Sequence, residues 1–270
     1  MKKFLAFTMA AALTLSLAAC GSSGGSSGSG SNADNSSSGG STRGTAFKLG
    51  GTGPLTGDAS IYGLAAQRGA QIAVDEINAE GGAIQFELKY EDDVNDPEKA
   101  VNAYNALKEW GMQISLGSVT TQPGIATSSY NFADSIFALT PSASSPDVIS
   151  GKDNVYQMCF SDPNQGTASA KYISEQKLGE KVFIIWKSDD NYSTGIKDKF
   201  VAEAKDLGLN VVGNATFTTD SKNDFTVQLT QAKQAGADLL FLPIYYDAAS
   251  LILTQANAMG YEPKFFGVDG

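Results

Sequence analysis

The chain has 270 residues, of which 42% are hydrophobic, so it is long enough to bury one large core or two modest ones. Its net charge of −10 argues against nucleic acid or an anionic membrane surface as a partner. Histidine is absent, which excludes Ser-His-Asp and Cys-His nucleophile systems and the common histidine-based zinc sites.

The first 20 residues have the pattern of a targeting segment. Lys2 and Lys3 give it a positive start, residues 4–17 are mostly apolar, and Leu-Ala-Ala-Cys closes it. This ending resembles the lipoprotein box of bacteria, which predicts a signal peptide over residues 1–20 and lipidation of Cys20. Ordinary secretory cleavage and an uncleaved anchor are the alternatives. Residues 21–45 are rich in serine and glycine, and they predict a flexible tether to the membrane.

From residue 46 onward, apolar runs of strand length alternate with segments of helical period. Ser60 is a candidate cap for the first helix, and Asp96-Pro97 is typical of the start of the second. The apolar side of the first helix is predicted to carry Ile61, Leu64, Ala65, Ile72 and Ile77. Up to residue 140, the predicted strands are 46–50, 86–90, 114–117 and 136–139, and the predicted helices are 61–79, 97–110 and 123–134.

The same alternation resumes after a loop-rich stretch at residues 141–165. The predicted helices are 167–177, 194–207, 224–235 and 248–259, and the predicted strands are 182–186, 209–217, 239–242 and 264–268. Repeated strand–helix units predict an α/β fold of two doubly wound, mostly parallel lobes joined by a hinge. We place lobe 1 at residues 46–159 and lobe 2 at residues 160–270.

Two hydroxyl-rich loops follow the ends of neighbouring predicted strands. One is Leu-Thr-Pro-Ser-Ala-Ser-Ser-Pro at residues 139–146, and the other is Ser-Val-Thr-Thr at residues 118–121. Ligands of open α/β sheets bind beyond the carboxyl ends of the strands. Tyrosines 62, 192 and 245 and Asp269 also fall at such ends, so the sequence predicts a cleft for a small polar ligand.

Two other patterns have simpler explanations. The glycine-rich segment at residues 51–57 is similar to a dinucleotide fingerprint, but its spacing is wrong and Pro54 removes a needed N–H. The acidic run at residues 91–96 lacks the ligand pattern of a calcium-binding EF-hand, because Val94 and Pro97 interrupt it. We expect a solvated loop and a helix cap there.

Six segments in order resemble one family of binding proteins. They are GPLTG at 53–57, Tyr62-Gly63, INAEGG at 77–82, DPEKA at 96–100, LTPSASSP at 139–146 and DPNQGTASAKYI at 162–173. Together they resemble the periplasmic-binding-protein type I fold, and within it the branched-chain amino-acid (Leu/Ile/Val) substrate-binding lipoproteins of ABC transporters. The resemblance extends over residues 46–270.

The resemblance implies that the α-carboxylate and α-ammonium of an amino acid are held between the lobes. Thr121 is the first choice for the carboxylate, with Thr120 or Ser118 as alternatives. Ser144 would act through its hydroxyl and N–H, and Ser142 mainly through its backbone carbonyl.

The same resemblance assigns the remaining site residues. Tyr62, Tyr192 and Tyr245 match positions whose rings line the cleft. Asp269 matches an acid that pairs with the ammonium, where the group usually has glutamate. The shorter acid keeps the charge but changes its reach by one methylene.

The function implied is that of an extracytoplasmic solute-binding protein. It would capture a free amino acid, branched-chain or otherwise hydrophobic, by hinge closure and deliver it to the permease subunits of an ABC importer. We expect a monomer, lipid-anchored at the cell surface or in the periplasm, with no cofactor, no metal and no catalytic residue. The alternative is an amino-acid or amide sensing receptor module of the same fold.

Members of this family continue well beyond the position that matches Gly270. We therefore expect the chain to be a fragment of a longer reading frame, without the last crossings back to lobe 1. Such a fragment would expose apolar surface and bind its ligand poorly compared with the full affinity of a complete family member.

Overall fold

The computed structural model describes residues 45–270, so the predicted signal peptide, Cys20 and all of the predicted tether except Thr45 lie outside the described residues. Two fully parallel sheets organise the described part, with helices connecting most successive strands. The predicted fold class is confirmed. No helix within residues 45–270 has the length and apolar character needed to cross a membrane.

The first sheet and its helices form what we call lobe 1. The strand order is β2-β1-β3-β4-β5, and β5 was not predicted because it has only three residues. The elements are β1 (Thr45–Gly53), α1 (Ser60–Ala79), β2 (Ile84–Asp92), α2 (Pro97–Trp110), β3 (Ile114–Ser118), α3 (Thr121–Ala133), β4 (Phe137–Thr140) and β5 (Val155–Gln157).

The second sheet and its helices form lobe 2, with strand order β7-β6-β8-β9. Its elements are α4 (Asp162–Glu175), β6 (Val182–Lys187), α5 (Asn191–Asp206), β7 (Val211–Phe217), α6 (Thr226–Gln234), β8 (Leu239–Leu242), α7 (Tyr246–Ala258) and β9 (Lys264–Gly267). The division of the chain at residues 159 and 160 remains a prediction.

Strand β6 explains how lobe 2 buries its sheet on both faces. Phe183 and Ile185 pack into a cluster with side chains of α6 and α7, whereas Val182 and Ile184 pack with side chains of α4 and α5. Successive side chains of a strand point to opposite faces, so a continuous apolar run is what a doubly covered strand requires.

Two helices begin earlier than predicted, and the residues at their first turns give the reason. Helix α4 starts at Asp162 rather than 167, with Pro163 in its first turn, where the missing N–H costs nothing. Helix α5 starts at Asn191 rather than 194, because the Asp190 carboxylate accepts a hydrogen bond from the Ser193 N–H at 3.4 Å.

The apolar side predicted for α1 is not its buried side. Ile61 and Ile72 are each 58% exposed, and the helix buries Gly63 and Val74 instead. Gly63 lies directly against the Pro54 carbonyl, where a Cβ atom would be only 2.1 Å from the oxygen. The close backbone approach at Gly63 therefore fixes the orientation of α1, and a periodicity argument that counts large side chains does not detect it.

Candidate functional site

A small cavity lies where the carboxyl ends of the two sheets face each other. Its volume is about 30 Å³, and seven of the nine predicted site residues line it. The lining residues are Tyr62, Val119, Thr120, Ser142, Ser144, Tyr192, Tyr245, Asp269 and Gly270.

The loop after β4 is held rigidly, which fixes the two serines. The Thr140 hydroxyl accepts hydrogen bonds from the N–H groups of Ser142 and Ala143 at 3.3 and 3.0 Å. The Gln157 amide donates to the carbonyls of Ala143 and Ser145 at 2.5 and 2.9 Å. Within residues 45–270, no group donates to the Ser142 carbonyl, so that oxygen is free to accept from a ligand.

The three predicted hydroxyls at the end of β3 and the start of α3 have different surroundings. Thr120 lines the cavity, and its buried Oγ1 has no partner within the described residues. The Thr121 hydroxyl instead accepts a hydrogen bond from the Ser144 N–H at 3.2 Å. The Ser118 hydroxyl forms hydrogen bonds with the hydroxyl groups of Thr52 and Thr127, at 2.5 and 2.9 Å. The geometry thus favours Thr120 over Thr121 and Ser118, which lie behind the cavity wall.

Lobe 2 contributes an aromatic wall and an acid. The rings of Tyr192 and Tyr245 stack with centroids 4.8 Å apart, and the Tyr62 ring of lobe 1 lies 5.8 Å from that of Tyr245. The Tyr192 hydroxyl donates to the Asp269 carboxylate at 2.5 Å. Burial and this negative charge raise the pKa of Tyr192 well above its usual range, so the phenol keeps its proton at neutral pH.

Gln165 was not predicted, yet it positions Asp269. Its side-chain amide donates to the Asp269 carboxylate at 2.8 Å and accepts from the Asp269 N–H at the same distance. Gln165 belongs to the DPNQG segment, so the family resemblance contained the signal but did not assign it a role.

Asp162 is a second residue that the prediction missed. Its side chain is fully buried, its N–H donates to the Ser144 carbonyl at 3.1 Å, and neither carboxylate oxygen has a hydrogen-bond partner within residues 45–270. Burial raises the pKa of Asp162 to about 7; the nearby Ser144 hydroxyl opposes this rise, whereas the charges of Asp269 and Asp190 add to it. An acid-rich site of this kind favours a cationic group in the ligand.

Contacts between the lobes close the cleft. Lys222 of lobe 2 pairs with Asp58 of lobe 1, and it lies 3.8 Å from Asp247. The Tyr246 hydroxyl donates to the Asp58 carbonyl at 2.8 Å. On the other side, the Gln122 amide donates to the Asp189 carbonyl, also at 2.8 Å. We call these the interlobe contacts.

The model of the periplasmic binding protein family matches residues 46–270. The chain belongs to this family. The Leu/Ile/Val-binding protein BraC3 of Rhizobium johnstonii is 30% identical over 220 residues, which are 80% of this chain and 59% of the relative. The leucine-, isoleucine-, valine-, threonine- and alanine-binding protein of Pseudomonas aeruginosa is 29% identical over 83% of this chain and 60% of its own length.

Solved structures give the same result. LivJ of Streptococcus pneumoniae, a branched-chain amino acid transporter substrate-binding protein crystallised with isoleucine, has a TM-score of 0.76 and 29% identity. That match covers 83% of this chain and 64% of LivJ. Leucine-binding LivK of Thermotoga maritima has a TM-score of 0.76 and 25% identity, over 82% of this chain and 63% of LivK. The chain thus spans about three fifths of the length of these relatives.

Proposed function

We propose that this protein is an extracytoplasmic solute-binding protein that captures a free amino acid between its lobes and delivers it to an ABC importer. The observation that carries the proposal is the cavity at the lobe interface, where hydroxyl donors, a free carbonyl and a carboxylate converge. The family relatives support the same chemistry, since their names record binding of Leu, Ile and Val. An aliphatic amino acid is therefore the first expectation for the ligand.

One side of the cavity suits a carboxylate. Ser144 and Thr120 offer hydroxyl groups, and the first-turn N–H groups of α3 have no intrahelical acceptor. The positive end of the helix dipole also points at this position, which favours an anion. The buried Thr120 Oγ1 without a partner is the group that a ligand carboxylate would satisfy.

The other side suits an ammonium. The Ser142 carbonyl and the Asp269 carboxylate are acceptors on opposite walls of the cavity. Charge-assisted hydrogen bonds contribute about 1.5–3 kcal/mol each, so four of them, less the entropy of closure, reach the roughly −8 kcal/mol of micromolar binding.

Ligand entry requires the lobes to separate. A volume of about 30 Å³ accommodates roughly one water molecule, far less than an amino acid. Breaking the interlobe contacts would open the cleft by a hinge movement, and closure around the ligand would restore them. The closed form is then the one that an importer recognises.

The N-terminal predictions complete the proposal. Lipidation of Cys20 would anchor the protein to the outer face of the membrane, and residues 21–45 would let the binding domain reach permease subunits. Metabolic labelling with an alkyne fatty acid should mark the expressed chain and not its Cys20→Ser variant. Equal labelling of both would contradict the anchor.

Binding is tested by a thermal-shift screen of the full chain against the common L-amino acids, followed by calorimetry on those that respond. Ser144→Ala should weaken binding by about 1–3 kcal/mol, because it removes a hydroxyl from the cavity. Ser142→Ala is the matched control, since its carbonyl remains, and it should change affinity by less than about 0.5 kcal/mol. No response to any amino acid, or equal losses in both variants, would refute the assignment.

A further inference from the structure

A second, larger cavity lies along the same cleft. Its volume is about 210 Å³, and it shares Tyr245 with the small cavity that the proposed function assigns to the amino and carboxyl groups. We call it the side-chain cavity, because it offers space beside those groups. It is lined by Gly57, Asp58, Ala59, Val94, Asn95, Lys187, Asp190, Phe217, Thr219, Lys222, Ile244, Tyr245, Asp247 and Ala248.

The walls of the side-chain cavity are mixed in polarity. Phe217, Ile244 and Ala248 are buried members of the lobe 2 core and form an apolar part. Five charged side chains also line it: two lysines and three aspartates. Such a lining differs from what an aliphatic side chain requires, since burying a charge without a partner is costly.

Three of the charged groups are already matched. Lys222 pairs with Asp58 and lies 3.8 Å from Asp247, so these three form one network. The other two, Lys187 and Asp190, are close enough to attract each other, but neither has a short side-chain hydrogen bond. The Lys187 ammonium lies 3.8 Å from the Asp189 carboxylate and makes no side-chain hydrogen bond within residues 45–270. Asp190 is only 5% exposed, and the bond that its Oδ2 accepts from the Ser193 N–H is long, at 3.4 Å.

The chemistry of this pair distinguishes three kinds of ligand side chain. An aliphatic group would shield Lys187 and Asp190 from water and give neither of them a hydrogen-bond partner. A carboxylate would suit Lys187 but would enter a cavity with three aspartates and two lysines. A carboxamide is neutral, and its oxygen can accept from Lys187 while its NH₂ group donates to Asp190.

We propose that the side-chain cavity recognises a carboxamide, so that the ligand class is an amide-bearing amino acid, glutamine or asparagine. This inference rests on the proposed function, which supplies the binding of the amino and carboxyl groups. It changes the expected side chain from the aliphatic one that the relatives' names suggest.

Calorimetry of the full chain with glutamine, asparagine, glutamate, leucine and methionine tests the inference. Glutamine or asparagine should bind at least 10-fold more tightly than leucine and methionine, and more tightly than glutamate. Tightest binding of leucine, methionine or glutamate would overturn the carboxamide assignment and leave amino-acid capture standing. If the chain binds none of these five and no other common amino acid, the proposed function itself is overturned.

A variant pair links the selectivity to Lys187. Lys187→Met keeps the aliphatic chain and removes the charge, so the affinity for the preferred amide should fall about 10-fold or more while that for methionine does not fall. Lys205→Met is the control, because Lys205 is an exposed residue in the last turn of α5. Its affinities should match those of the parent chain. Equal losses for amide and methionine in Lys187→Met would refute the direct contact.

Discussion

Replacing Asp162 with asparagine should make the protein more stable at alkaline pH. The side chain is fully buried, and neither carboxylate oxygen has a hydrogen-bond partner within residues 45–270. In the unfolded chain, the carboxyl group ionises freely in water, whereas burial raises the pKa of Asp162 in the folded state to about 7. The folded state therefore binds this proton more tightly, and stability falls as pH rises through the interval between the two pKa values.

The magnitude follows from the size of the shift. A rise from 3.8 to about 7 in the pKa of Asp162 corresponds to about 4 kcal/mol of stability that is present in acid and fully lost above pH 7. At pH 5, part of that loss has already occurred, so about 3 kcal/mol remains to be lost between pH 5 and pH 8.5. Asparagine does not titrate, and Asp162→Asn should escape this loss.

Urea denaturation of the full chain at pH 5 and pH 8.5 measures the effect. The free energy of unfolding of Asp162→Asn relative to the parent should rise by about 3 kcal/mol between the two pH values. Comparing each variant with its parent cancels other titrating groups, including buried Asp93, whose pKa is also raised to about 7. Exposed Asp153→Asn is the control and should change stability by less than about 0.5 kcal/mol at either pH. An Asp162→Asn difference that does not depend on pH would show that burial does not raise the pKa of Asp162.

Two further predictions concern the fold and its closure. In a urea titration, Gly63→Ala should lower the free energy of unfolding by about 1–3 kcal/mol, because the new Cβ would meet the Pro54 carbonyl. Gly69→Ala is the control, since a Cβ there would have nothing within 4 Å, and it should be neutral or stabilising. Equal effects of the two substitutions would contradict this packing. Lys222→Met should weaken ligand affinity up to about 5-fold, mainly through faster dissociation measured by stopped flow, because it removes an interlobe contact. Lys171→Met, which breaks a salt bridge within lobe 2, should leave dissociation unchanged, and a change equal to that of Lys222→Met would argue against a role in closure.

The fold was predictable because its signals are local. Asp96 and Pro97 form a helix start that requires no knowledge of the rest of the chain, and the Asp96 carboxylate accepts from the Lys99 N–H at 2.8 Å. The apolar run at β6 likewise predicts a strand covered on both faces. The face of α1 was not predictable, because it depends on Gly63 meeting Pro54, a contact that leaves no mark in hydrophobic periodicity.

The site was only partly predictable, for a related reason. The sequence does not show which of the adjacent hydroxyls of Thr120 and Thr121 is available to a ligand. In the structure, the Thr121 hydroxyl accepts a hydrogen bond from the Ser144 N–H, and this leaves Thr120 as the better candidate. The unpartnered state of Asp162 depends on residues far apart in the chain, including Ser144 and Gly195, which lies close against its side chain. Sequence patterns identify residue types and order, and they do not specify which buried groups lack a partner.

The proposed function requires that both charged ends of a free amino acid be bound. Calorimetric titration of the full chain with the best-binding amino acid, its N-acetyl derivative and its α-carboxamide derivative tests this requirement. Each derivative should bind at least about 100-fold more weakly, because the first loses the charge that faces Asp269 and the second loses the charge that faces α3. Derivatives that bind as tightly as the parent amino acid would show that the two charged ends are not recognised.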